Sequence, residues 1–167
     1  MSGFGFSFMG LAFLLALFVP NLIWALAART KDYDPSSENR GLRVLERVGQ
    51  VAATTAALLS AGTNLTPWTP WSWWLIAAIT CLVAYEAGWV RYFASARTMA
   101  DFTRRLLGVP VPLATLPVAA FLLLGIYGRA IWLIAAVVIL GIGHIGIHLQ
   151  HAREQSSRRG DRPPGVS

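Results

Sequence analysis

The chain has 167 residues, of which 55% are hydrophobic and only 13% charged, with a mean hydropathy of +0.53. Soluble domains carry about 25% charged residues, so an ordinary soluble globule is excluded. The formal charge of +6 has its usual origin, in a chain this apolar, in the Lys/Arg bias of cytoplasmic loops, and nucleic acid is not expected as a partner.

The apolar residues fall into runs long enough to cross a bilayer core, which takes about 20 residues of helix. Five spans can be drawn, over residues 4–28, 42–62, 71–93, 108–127 and 130–150. They predict an all-α transmembrane bundle covering residues 1–150, followed by a basic, disordered tail over residues 151–167 that has no apolar content to order it. The bilayer itself is the first partner.

Span one ends in ALAA, which resembles a signal-peptidase site, but it lacks a basic leading region and exceeds the apolar core of a signal peptide. A retained helix is the reading, broken at Pro20 and Asn21. Span two opens with Glu46, Arg47 and Gln50. The loop that follows, TNLTPWTPWSWW, places Pro67 and Pro70 at turn and helix-start positions. Its Trp68, Trp71, Trp73 and Trp74 suit an interfacial aromatic belt. Asn64 heads an Asn-x-Thr sequon, for which chance in a loop is the plainer account. Span three holds Cys81, the single cysteine, which leaves no disulfide within the chain and no thiol cluster, and then Tyr85 and Glu86.

The third connection, RYFASARTMADFTRRLL, mixes Phe, Met and Leu with arginine, as expected of a helix lying in the headgroup layer. Span four carries VPVPLATLP. Pro110 and Pro112 fit the start of a helix, whereas Pro117 frees the carbonyl of Leu113 and should kink it. Span five contains GIGHIGIH, in which His144 and His148 share a face by their i, i+4 spacing and His151 continues it.

Of the 14 Lys and Arg residues, 13 fall in the first connection with its adjoining helix start, the third connection and the tail; Arg129 alone lies on the opposite side. The positive-inside rule then puts the N-terminus outside and the C-terminus in the cytosol, an arrangement that requires an odd number of spans. Ionisable groups within membrane helices face a protein interior or a wet cavity. With this orientation Asn21, Glu46, Gln50, Tyr85, Glu86, His144 and His148 all fall in the cytoplasmic half and form one polar layer, the candidate ligand site. Glu46 and Glu86 are the obvious partners for the histidine face, and Glu86 is expected to approach it.

No metal site is expected, because two histidines on one helix need further ligands and HxxxH without an adjacent glutamate is a poor zinc signature. No cofactor is expected either. The chain lacks a nucleophile motif, an Asp-rich diphosphate site and a dinucleotide-binding glycine loop, so no catalytic residue is assigned.

PNL (Pro20 to Leu22), LERVGQ (Leu45 to Gln50), VRYF with Arg97, VPVPLATLPVAAF and GIGHIGIH together resemble an uncharacterised family of small multi-pass bacterial integral membrane proteins. The resemblance runs over nearly all five spans and implies a multi-pass protein of the bacterial inner (plasma) membrane, with no activity, substrate or cofactor attached. The five-span, Trp-rich sensor proteins of the benzodiazepine-receptor type share the span count, but their Trp-x-Pro-Pro type motif has no match here.

Three functions follow in order of expectation. The first is a non-enzymatic membrane protein whose cytoplasm-facing polar pocket takes a small molecule, a lipid or a partner helix. The second is a small transporter with His/Glu proton coupling, which in the absence of an inverted repeat would need to be a homo-oligomer. The third is a membrane enzyme acting on a lipid or isoprenoid substrate.

Overall fold

The computed structural model describes residues 3–28, 30, 38–106 and 108–160. These residues form helices α1 (Phe8–Ala27), α2 (Arg40–Leu59), α3 (Trp73–Phe93), α4 (Met99–Thr103), α5 (Pro112–Tyr127) and α6 (Ile131–Gly160), with short 3-10 turns at Ala61–Thr63 and Pro70–Ser72. Five of the helices coincide with the expected spans, and α4 lies in the third connection.

Three segments are long and apolar enough to cross a bilayer, Phe8–Ala27, Pro70–Phe93 and Ile131–Glu154. The other two stand apart for physical reasons. α5 is apolar but has 16 residues, about 24 Å at the helical rise, against a hydrocarbon core of about 30 Å. α2 is long enough, but Arg40, Arg43, Glu46 and Arg47 crowd its first half.

Several boundaries differ from the sequence-based ones. The chain before α1 is extended, because Gly5 N–H and Ser7 N–H donate to the carbonyls of Leu59 and Leu58 at 3.0 and 2.8 Å. Those carbonyls end α2 and lack helical partners. α1 therefore begins only at Phe8, capped by Ser7 Oγ, which accepts from Gly10 N–H at 2.7 Å, and by Asn64 Oδ1, which accepts from Phe8 N–H at 2.8 Å. The side chain of the sequon asparagine is thus spent on holding the start of α1. α5 starts at Pro112, not at residue 108, because Val111 adopts a left-handed conformation (φ 39°) between two prolines.

α6 continues to Gly160, ten residues into the segment expected to be an unstructured tail. Its polar extension holds helical side-chain bonds, from Gln150 Nε2 to Glu154 Oε1 at 3.2 Å and from Ser157 Oγ to the Arg153 carbonyl at 3.3 Å. The remainder of the tail, residues 161–167, lies outside the described residues, as do Arg29 and Lys31.

α2 lies along α6, α3 along α5, and α5 against α6. The α2–α6 approach is backbone-close. A Cβ added to Gly49 would stand 2.4 Å from Leu140 N, and one added to Gly143 would stand 2.4 Å from Glu46 N. Small residues are what let membrane helices come this near. One apolar core gathers Phe13, Ala57, Leu75, Ala78, Phe121, Leu124 and Leu133; a second, aromatic one gathers Tyr85, Trp89, Tyr92, Met99, Phe102 and Leu113.

α4 belongs to the second core. Thr98 and Asp101 close a capping box at its start: Thr98 N–H and Oγ1–H donate to Asp101 Oδ2 at 3.1 and 2.8 Å, and Asp101 N–H donates to Thr98 Oγ1 at 3.2 Å. These donors hold the Asp101 carboxyl below the ordinary carboxylate range. The helix turns Met99 and Phe102 into the bundle, where both are buried. Its apolar face, Met99 and Phe102, meets protein. Arg91 fixes the chain beyond α4, donating to the carbonyls of Arg104 and Arg105 at 2.7 and 3.0 Å.

Candidate ligand cavity

The polar layer is assembled from four helices, α1, α2, α3 and α6. Pro20 has no N–H to give to the helix, and the next residue, Asn21, turns its side chain onto the backbone. Asn21 Nδ2 donates to the Leu17 carbonyl and to Tyr85 Oη, both at 2.7 Å, while Tyr85 Oη–H donates to the same Leu17 carbonyl at 3.2 Å. The break in α1 is in this way stapled to α3.

On the opposite side, the close approach licensed by Gly143 brings Glu46 of α2 to His144 of α6, with Oε1 2.6 Å from Nδ1. That is a short hydrogen bond. His148, one turn further along, has its ring centroid 4.6 Å from that of His144 and stacks on Phe102 of α4 at 5.3 Å and 24°. Phe102 in turn stacks with Trp24 of α1 at 5.6 Å and 25°. His151 Nε2 lies 3.3 Å from Glu38 Oε1 and its Nδ1 lies 3.6 Å from Glu154 Oε2.

These side chains enclose a cavity of about 280 Å³, lined by Asn21, Glu46, Gln50, His144 and His148 among others. Pro117, the proline inside α5, lies on its wall with Val118 and Phe121, so the fractured segments of two helices border the same space. Five of the seven sequence-predicted residues therefore share one cavity. Tyr85 is not on its wall but positions Asn21, which is.

Of the two expected partner carboxylates, Glu46 meets His144, whereas Glu86 does not line the cavity. Its Oε1 is enclosed without a hydrogen-bond partner. The reason is helical phase: Tyr85 and Trp89 carry the inward face of α3, and Glu86, one residue on from Tyr85, is rotated by about 100° from it.

Sequence reasoning passed over Trp24, Glu38, Trp89 and Phe102, all of which line the cavity together with His151. His151 carried a signal, since it continues the i, i+4 face of His144 and His148. Glu38 precedes the Asn39 cap of α2 in a polar connection, and nothing in its local pattern marks it. Trp89 Nε1, on a residue only 2% exposed, has no hydrogen-bond partner.

Among the described residues no group of three or more His, Cys, Asp or Glu side chains is arranged to hold a metal ion. Comparison with protein-family models, with curated proteins and with solved structures returns no match.

Proposed function

We propose that this is a polytopic inner-membrane protein of a bacterial cell whose cavity binds a small molecule presented from the cytosolic side, without catalysing its conversion. One observation carries the reading: Asn21, Glu46, Gln50, His144 and His148, drawn from three helices, converge on a single cavity of about 280 Å³, close to the lower limit of about 300 Å³ typical of ligand pockets. Polar groups convergent on an apolar and aromatic wall are the usual form of such sites.

In this reading all five long helices cross the membrane, with the N-terminus outside. α2 can do so because its first half sets Glu46 against His144, and α5 because protein covers most of it, so that few of its side chains need lipid. The Lys/Arg distribution orients the bundle with the cavity toward the cytosol. A lipid or a partner helix is a less fitting occupant than a small molecule, since the space is small and bordered by protein on several sides.

A second reading, proton-coupled transport by a small homo-oligomer, is favoured by the contact at 2.6 Å between Glu46 and His144. An acid–imidazole pair across two helices can change both its protonation and the helix spacing. Native mass spectrometry of the protein purified in mild detergent tests the first reading directly. A co-purifying small molecule that is lost from a cavity-filling variant, Leu140→Trp, supports it. An empty protein whose melting temperature no metabolite mixture shifts would remove it.

A further inference from the structure

We infer that the occupant of this cavity is a flat ring compound carrying a carbonyl oxygen, an inference that rests on the small-molecule reading above and names the chemical class. Two donors on the cavity wall carry it, His148 and Trp89. Of the three histidines on this face of α6, His144 and His151 contact Glu46 and Glu38 at 2.6 and 3.3 Å. His148 makes ring contacts with His144 and Phe102 but, among the described residues, no hydrogen bond. An imidazole carries at least one N–H in either protonation state, so the need for an acceptor at this point holds whatever its charge.

Trp89 supplies the second, independent observation. It is 2% exposed and lines the cavity, and its enclosed Nε1–H meets no acceptor. The Tyr85 hydroxyl, close to the indole, is engaged with Asn21 and Leu17 and does not meet Nε1–H in hydrogen-bond geometry. An indole N–H can only donate, and a buried donor left unmade is destabilising. Closing the ring onto a ligand oxygen satisfies it.

His148 and Trp89 both contact Phe102, with ring centroids 5.3 and 5.9 Å from it, so the two donors border one region of wall. A carbonyl oxygen suits that region, because it accepts with two lone pairs and, unlike a hydroxyl, brings no donor that would itself need a partner. The rest of the wall sets the body of the ligand. Phe18, Trp24, Trp89, Phe102 and Phe121 line the space, and Trp24, Phe102 and His148 run in a near-parallel stack, with interplanar angles of 25° and 24°. Aromatic rings so arranged favour a flat aromatic body over a saturated one of similar size.

Three matched probes separate these features by isothermal titration of the full chain in detergent, with affinities expressed against the mole fraction of probe in the micelle. Methyl naphthyl ketone has both the oxygen and the flat rings; isopropenylnaphthalene replaces the carbonyl by a carbon–carbon double bond of the same shape; methyl decalyl ketone keeps the carbonyl on saturated rings. The naphthyl ketone is expected to bind at one site, about tenfold more tightly than the alkene and several-fold more tightly than the decalyl ketone. His148→Phe and Trp89→Phe should each reduce the preference for ketone over alkene, with little change in the affinity of the alkene itself.

Equal or tighter binding of the alkene to the unaltered protein overturns the acceptor requirement, and equal or tighter binding of the decalyl ketone overturns the flat body. A ketone preference undiminished in both variants overturns the assignment to His148 and Trp89. If no probe binds while a small molecule still co-purifies, this inference falls and the small-molecule reading stands; if no probe binds and nothing co-purifies, both fall. The comparison among probes needs no variant, so a substitution that fails to fold does not rescue the idea.

Discussion

At the scale of single residues, the contact between Glu46 and His144 and the unpartnered Glu86 invite opposite expectations. Glu46→Gln keeps the shape and one acceptor but removes the charge that strengthens the bond. Both side chains are a little over a quarter exposed, at 28% and 27%, so the loss should be about 1 kcal/mol, short of the larger cost of a fully enclosed charged bond. Thermal melting in detergent should register it as a decrease of a few degrees. Glu86→Leu should act the other way. Its enclosed Oε1 has no partner, and replacing an unsatisfied acceptor by an apolar group of similar size is neutral or stabilising by about 1–3 kcal/mol. A drop in melting temperature for Glu86→Leu would mean that the carboxylate has a partner outside this chain.

Among the helices, the α2–α6 seam and the α4 cap decide whether the cavity exists. Gly49→Val would press a branched side chain onto the Leu140 backbone, where even a Cβ stands 2.4 Å from N. Overpacking of this kind costs about 1–3 kcal/mol or more, and here it should also separate Glu46 from His144. The variant is expected to melt early. The cap of α4 gives a pH test. Its donors hold the Asp101 carboxyl below the ordinary carboxylate range, so the cap is fully present above the unfolded value, about 3.9, and is lost only as pH falls through the lower folded one. Hydrogen exchange at Met99–Thr103 should therefore be flat from neutral pH down to about pH 4 after correction for intrinsic rates, and rise below it. Asp101→Ala should show fast exchange throughout, at a cost of about 1 kcal/mol.

For the whole molecule, the claim at stake is orientation. Reporter fusions placed after residue 160 and within the loop before the Pro70–Ser72 turn should give cytosolic and periplasmic signals respectively. The reverse pattern would turn the cavity to the outside and remove the cytosolic route to it. Equal signals on one side would mean that an even number of helices separates the two sites, so that α5, the shortest of the three long helices between them, fails to cross.

The sequence by itself determined the class of molecule and the places of its long helices, because the length and periodicity of apolar runs are local properties that the bilayer imposes directly. It also placed Asn21, Glu46, Gln50, His144 and His148 in one layer, since antiparallel helices of similar length bring equal depths together. What only the tertiary structure decided is rotation about each helix axis. Depth made Glu86 look like a partner of the histidines, but phase turns Tyr85 and Trp89 inward in its place and leaves the pairing to Glu46. Phase also brought Trp89 to the cavity wall, and the docking of α4 brought Phe102 to the stack with His148. Neither could be read from spacing alone, because side-chain contacts between helices depend on which faces the glycines at positions 49 and 143 allow to touch, and that is settled by packing across the bundle.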